Sequence, residues 1–129
     1  MRVLALDHGQ VRTGVAISDE TGTLATPLTV IAQVESPAGQ AALLALISAR
    51  GPERIVVGLP VSLDGREHAQ ARRARAFATR LQEVVDIPVD LYDERFTSAL
   101  ADRRGGSAAR DARAAAALLE DYLRTISDE

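Results

Sequence analysis

The opening sequence MRVLALDHGQVRTGVAISD constrains the fold more than any other stretch of this chain. Residues 3–6 are apolar, which indicates a buried strand, and the run ends on one carboxylate, Asp7. A second strand-like segment, residues 13–18, follows a short connection containing Gly9, which is typical of an antiparallel hairpin. Because an ionised Asp at the end of a buried strand needs a partner, we predict that a rigid sheet holds Asp7 as a metal ligand or general base.

The rest of the chain predicts alternating strands and helices. Pro27 suits a strand at the edge of a sheet, and Ser36 followed by Pro37 indicates the start of a helix that Gly51 ends. Gly58 and Pro60 are interpreted as turn residues. The predicted elements after the hairpin are a strand at 26–31, a helix from 37 to about 50, a strand at 55–58, a helix at 67–85, a strand at 89–92 and a helix at 110–126.

The order of these elements predicts the fold. Three antiparallel strands followed by two right-handed crossovers give a five-stranded mixed sheet with strand order 3-2-1-4-5, flanked by helices. This is the ribonuclease H-like α/β topology, in which strand 1 is central and ligands gather at the strand ends beside Asp7. The length of 129 residues and the hydrophobic content of 47% predict a single such domain over residues 1–129.

Composition limits the chemistry that the chain can carry out. Cysteine is absent and only His8 and His68 are histidines, which excludes thiolate sites and a histidine-built zinc site. Any metal must be held by carboxylates, which favour Mg²⁺ or Mn²⁺. With no leader-like segment and no apolar run of membrane-spanning length, we expect a cytoplasmic protein without membrane association.

Two further carboxylates are predicted to converge on Asp7. Glu94 follows the last strand, and Asp111 shares the packing face of the final helix, four residues before Ala115. For Asp93, an exposed strand end or a salt bridge to Arg95 is at least as good an explanation as metal binding. Three carboxylates in one place repel one another unless cations neutralise them. Two Mg²⁺ or Mn²⁺ ions would do so, and a pair of such ions is typical of phosphodiester hydrolysis.

Arginines supply the positive charge, although the formal net charge is −3. Any nucleic-acid binding must therefore come from a local patch. Arg12 is expected to contact phosphate or to support the carboxylates, and for each arginine cluster a solvated helix face is as good an explanation as phosphate binding. The residues concerned are Arg95, Arg103, Arg104, Arg110 and Arg113 in one cluster and Arg66, Arg72, Arg73 and Arg75 in a second.

Four blocks of sequence occur in an order that resembles the YqgF/RuvX family. They are DxGxxRxGxA at 7–16, VGLP at 57–60 with DG at 64–65, DERFT at 93–97, and DAxAA at 111–115 followed by LL and DYL. The resemblance covers nearly the whole chain and implies a ribonuclease H-like fold related to the RuvC resolvases. It also implies a nuclease for the 5′ end of pre-16S rRNA, in which Asp7, Glu94 and Asp111 match the acidic positions of the family and are expected to be its catalytic and metal-binding residues.

The sequence departs from the family at two places. His8 replaces an aliphatic residue and is expected to pack beside the turn, with proton transfer the less favoured alternative. The segment between Thr97 and Asp111 is shorter than usual. Thr97 either caps a helix or contacts phosphate, and the expected substrate contacts are Arg12, Arg95, Thr97, Arg104 and Arg110.

Other functions stay open at this point. A Holliday junction resolvase is the main alternative, and a non-catalytic nucleic-acid-binding module is the second. The expected partner is structured RNA or branched DNA, bound by a monomer or a homodimer. Since only 3% of the residues are aromatic, backbone contacts should dominate over base stacking, and binding should be sensitive to salt.

Overall fold

The computed structural model describes residues 1–94 and 108–127. Strands and helices alternate in the predicted order, and each strand is longer than predicted by one or two residues. Within the described residues the elements are β1 (Val3–Asp7), β2 (Arg12–Ser18), β3 (Ala25–Ala32), α1 (Pro37–Arg50), β4 (Arg54–Leu59), α2 (Ala69–Val84), β5 (Val89–Asp93) and α3 (Ala108–Ser127).

The five strands form one mixed sheet in the order β3-β2-β1-β4-β5. β1 pairs antiparallel with β2, and β2 pairs antiparallel with β3. β1 and β4 are parallel, as are β4 and β5. The predicted ribonuclease H-like topology is therefore confirmed, with β1 central and β3 at an edge, where Pro27 lies.

Every residue of β1 is buried because helices cover both faces of the sheet. Side chains alternate along the strand, so Leu4 and Leu6 pack on the face covered by α1 and α2. Val3 and Ala5 pack on the opposite face, which α3 covers with residues that include Leu118, Leu119, Ala115 and Ala116. Continuing the alternation, Asp7 faces α3 and the next residue, His8, faces α2.

The helix termini follow local sequence signals. Ser36 caps α1, where its Oγ accepts a hydrogen bond from the backbone N–H of Gly39 at 3.0 Å. Gly51 ends the helix in the left-handed conformation, with φ of 61°, and its N–H donates to the carbonyl of Ile47. Both ends match the prediction from Ser36, Pro37 and Gly51.

Two helix starts differ from the prediction. α2 begins at Ala69 rather than at 67, because residues 62–66 form a turn in which the Ser62 N–H bonds to the Arg66 carbonyl. Asp64 stabilises this turn by accepting hydrogen bonds from Ser62 Oγ and from the Arg66 N–H. α3 begins at Ala108, two residues before the predicted start. Among the described helices, none has the length and apolar character needed to cross a bilayer.

Candidate active site

Asp7 is the last residue of β1, and its side chain is largely shielded from solvent, with a residue exposure of 7%. Across the antiparallel pair it lies opposite Gly14 of β2. On its other side, Leu6 pairs with Val57 of β4, so the next step of the register places Asp7 beside Gly58. Two glycines, one on each neighbouring strand, therefore flank the carboxylate that the sequence singles out.

Gly14 gives the backbone of α3 close access to this strand end. A Cβ atom at residue 14 would lie 2.0 Å from the carbonyl oxygen of Asp111, which is far inside van der Waals contact. Only a glycine permits this approach. The first turn of α3 therefore packs directly on β2 at Gly14, the residue opposite Asp7.

Gly58 makes room for the side chain of Glu94. A Cβ atom at residue 58 would lie 2.6 Å from both Cδ and Oε2 of Glu94. Glu94 is completely buried, and its backbone N–H donates to the carbonyl of Leu59 at 3.1 Å. The interpretation of Gly58 as a turn residue is wrong, because it lies within β4 and leaves the space that the Glu94 carboxylate fills.

Arg12 supports the third carboxylate. Its Nε lies 2.9 Å from Oδ2 of Asp111, and the side chains of these two residues are 37% and 19% exposed. Asp111 Oδ2 is buried, and no donor in the described part of the chain has the geometry of a hydrogen bond to it. Its contact with Arg12 is therefore an ion pair without a hydrogen bond. Of the two roles expected for Arg12, support of a carboxylate is the one that this contact represents.

The three predicted acids thus share one end of the sheet, on the face covered by α3. As the side chains are placed, no three Asp, Glu or His residues within 1–94 and 108–127 are close enough to form a complete metal site. Asp93 is exposed at the end of β5, and Arg110 is half-buried in the first turn of α3. Arg95, Thr97 and Arg104 lie outside the described residues.

His8 faces the other side of the sheet. Its ring is buried and stacks on Phe77 of α2, with a centroid separation of 4.7 Å, and its Nε2 lies 3.3 Å from Oε2 of Glu35. Glu35 is also ion-paired with Arg80. Burial, followed by the positive charges of Arg73 and Arg80, lowers the pKa of His8 to about 4. A neutral His8 therefore packs beside the turn, as expected, and anchors the residue after Asp7 to α2.

Sequence reasoning missed the two flanking glycines and the partners of His8. Gly14 lies within the first family-like block, but only the strand register places it against Asp111. Glu35 lies in the turn before α1 and Phe77 lies in α2, so no short motif joins them to His8. Their proximity depends on how α1 and α2 cover the sheet.

The strand order, with three acidic residues at one end of the sheet, defines a ribonuclease H-like domain. The family model described as "RuvX: Holliday junction resolvase" matches residues 1–125. The chain belongs to the RuvX family.

Relatives in sequence agree with this assignment, and a solved structure agrees with the fold. The chain is 39% identical over 132 residues to a protein of Anaeromyxobacter sp. strain Fw109-5 named "Putative pre-16S rRNA nuclease", covering 95% of this chain and 96% of the relative. A protein of Chloroflexus aurantiacus with the same name is 38% identical, covering 94% and 85% of the two chains. RuvC of T. thermophilus, solved in complex with a Holliday junction substrate, shares the fold with a TM-score of 0.60 at 18% identity, covering 98% and 96%.

Proposed function

We propose that this protein is a metal-dependent nuclease that cleaves phosphodiester bonds during 5′-end maturation of pre-16S rRNA. The observation that carries the proposal is the buried carboxylate edge, where Asp7 lies between two glycines that admit Asp111 and Glu94. Burying carboxylates is costly, and a group of them at one strand end is a candidate functional site. The names of the relatives supply the substrate, because the named activity is pre-16S rRNA cleavage.

The residues at this edge fit a hard divalent cation. All three donors are carboxylates, and Glu94 is removed from water altogether, so a nearby positive charge would offset its burial. Asp111 Oδ2, buried without an aligned hydrogen bond in the described part of the chain, has a lone pair to offer. We propose that Asp7, Glu94 and Asp111 hold Mg²⁺ or Mn²⁺, with two ions in the working enzyme. Bound ions would supply water activation and stabilisation of charge on the phosphate.

The chain's own residues would position the substrate and the ligands. β1 fixes Asp7, and the stack of His8 on Phe77 holds the following turn in place. Arg12 restrains Asp111 through its ion pair and, with Arg110, offers positive charge to a phosphate at the same end of the sheet. Arg95, Thr97 and Arg104 stay predicted substrate contacts.

A second candidate is the resolution of Holliday junctions. It is favoured by the description of the matching family model, which names this activity. The chemistry at the carboxylate edge would be the same, whereas symmetric cutting of a four-way junction would require a twofold dimer.

Cleavage assays on two substrates test the proposal. End-labelled pre-16S leader RNA and a synthetic four-way junction are incubated with Mg²⁺ or Mn²⁺ and the wild-type protein, Asp7→Asn or Asp93→Asn. We expect metal-dependent cleavage of the RNA that falls at least a hundredfold in Asp7→Asn. The exposed neighbour variant Asp93→Asn should retain activity.

Each alternative outcome would indicate a different function for this protein. Paired symmetric nicks in the junction with intact RNA would favour the resolvase. Binding without cleavage of either substrate would indicate a nucleic-acid-binding module and would overturn the enzyme proposal. Equal activity of wild type and Asp7→Asn would show that the carboxylate edge takes no part in cleavage.

A further inference from the structure

Four arginines precede or open α2, and within residues 1–94 and 108–127 three of them have hydrogen-bond or ion-pair partners and one has none. Arg75 donates two hydrogen bonds to Glu67, at 3.0 and 2.7 Å. Arg72 Nη1 donates to the carbonyl of Glu67 at 2.9 Å, and Arg66 pairs with Asp64 at 3.4 Å. These three side chains are exposed and their donors are occupied, so they fit the interpretation as a solvated helix face.

Arg73 differs from them in burial and in its contacts. It is half-buried, and its Nε is shielded from solvent without a hydrogen-bond partner. Among the residues that the structure describes, no ion pair or hydrogen bond engages its guanidinium group. Leaving a buried donor unsatisfied destabilises the folded protein, and more so when the group is charged. Such a cost is expected where an absent ligand supplies the acceptor.

The position of Arg73 relates it to the carboxylate edge. Arg73, Phe77 and Arg80 share one face of α2, because they are spaced by four and three residues. Phe77 stacks on His8, the residue after Asp7. α2 starts beyond the carboxyl end of β4, so Arg73 lies one turn closer to that end of the sheet than Phe77 does.

The charge of Arg73 is also less compensated than that of its neighbour on the same face. Arg80 is ion-paired with Glu35, whereas no such acid is paired with Arg73 in the described ranges. Both guanidinium groups act electrostatically on His8. A positive charge therefore borders the strand end on the α2 side, opposite the side on which Arg12 and Asp111 lie.

We propose that Arg73 is a substrate contact that binds a backbone phosphate of the nucleic acid, on the α2 side of the strand end that carries Asp7. This inference rests on the proposed function and adds a binding residue to it. A phosphodiester oxygen is the acceptor that the Nε and an Nη of one guanidinium bind together. The backbone would then cross the end of the sheet from the α3 side to the α2 side.

Binding measurements with matched variants test the inference. The full chain is titrated into fluorescently labelled pre-16S leader RNA, with Ca²⁺ in place of Mg²⁺, at several salt concentrations. We expect Arg73→Gln to weaken binding about tenfold and to lower the slope of log K against log salt by about one. Arg75→Gln, on the same helix but paired with Glu67, should bind within about twofold of wild type.

The outcomes separate this inference from the function on which it rests. If wild type binds RNA and the two Gln variants bind equally well, the role of Arg73 is overturned while the nuclease proposal stands. If wild type binds neither RNA nor a four-way junction, the proposed function fails and the inference fails with it. If Arg73→Gln does not fold, the Lys variants test the role of Arg73 instead. We expect about threefold weaker RNA binding for Arg73→Lys and unchanged binding for Arg75→Lys.

Discussion

At the scale of single residues, the site depends on two glycines, which have no side chain, as much as on its acidic residues. Gly14 and Gly58 flank Asp7, and each leaves the space that another acidic residue occupies. Asp7 itself was predictable, because a lone carboxylate at the end of an apolar run is visible in the sequence. The fit of Glu94 against Gly58 was not, because it depends on how the chain folds back after β5.

Adding a methyl group at residue 58 should displace the Glu94 carboxylate. Gly58→Ala places an atom 2.6 Å from Oε2, so we expect a loss of about 1–3 kcal/mol in the free energy of unfolding. We also expect at least tenfold slower cleavage, because a ligand moved by even a fraction of an ångström is badly placed. Urea denaturation and the RNA cleavage assay measure the two effects.

The control is a double-mutant cycle with Glu94→Ala. Glu94→Ala removes the three atoms nearest to the added methyl group, so Gly58→Ala should cost less stability in that background. An equal cost in both backgrounds would show that the clash with Glu94 is not the cause.

At the scale of elements, local signals determine the ends of α1. Ser36 Oγ accepts from the Gly39 N–H at 3.0 Å and donates to the Gln33 carbonyl at 2.7 Å. We expect Ser36→Ala to lower the free energy of unfolding by about 1 kcal/mol. Ser48→Ala, at an exposed position in the last turn of the same helix, should change it by less than about 0.5 kcal/mol. Equal effects in thermal denaturation would contradict the capping role.

The stability of the turn between β2 and β3 should depend on the protonation state of Asp19. Its carboxylate accepts hydrogen bonds from Thr21 Oγ1 and from the backbone N–H groups of Leu24 and Thr23, which lower its pKa to about 2. Because the folded-state pKa is below the ordinary 3.8, the stabilisation is present above pH 3.8 and is lost as the pH falls through 2. NMR titration of the Asp19 carboxyl carbon should give this midpoint, and a midpoint near 3.8 would exclude the bonded turn.

The element order was predictable because hydrophobic patterns and turn signals agree along the chain, as in the sequence from Ser36 to Gly51. The four arginines around the start of α2 were not separable by sequence. Glu67 engages Arg75 and Arg72 from outside the helix. Which arginine lacks such a partner is decided only by the fold of residues 62–68.

At the scale of the whole molecule, we expect one folding unit. The three helices pack on a common sheet, and β1 contributes to the hydrophobic clusters on both faces. Unfolding should therefore be a single cooperative transition, with the calorimetric and van't Hoff enthalpies equal within error. Two resolved transitions in differential scanning calorimetry would indicate separate units.

The proximity of Asp7 to the first turn of α3 has a consequence for synthesis of the protein. These residues are far apart in sequence, and contacts of this kind form late because a long loop must close first. A growing chain that has released β1 to β5 from the ribosome, but not yet α3, lacks Asp111 and the helix that covers the acidic edge. With the roles that we propose for these acids, the nascent polypeptide would be unable to cut RNA beside the ribosome that is making it.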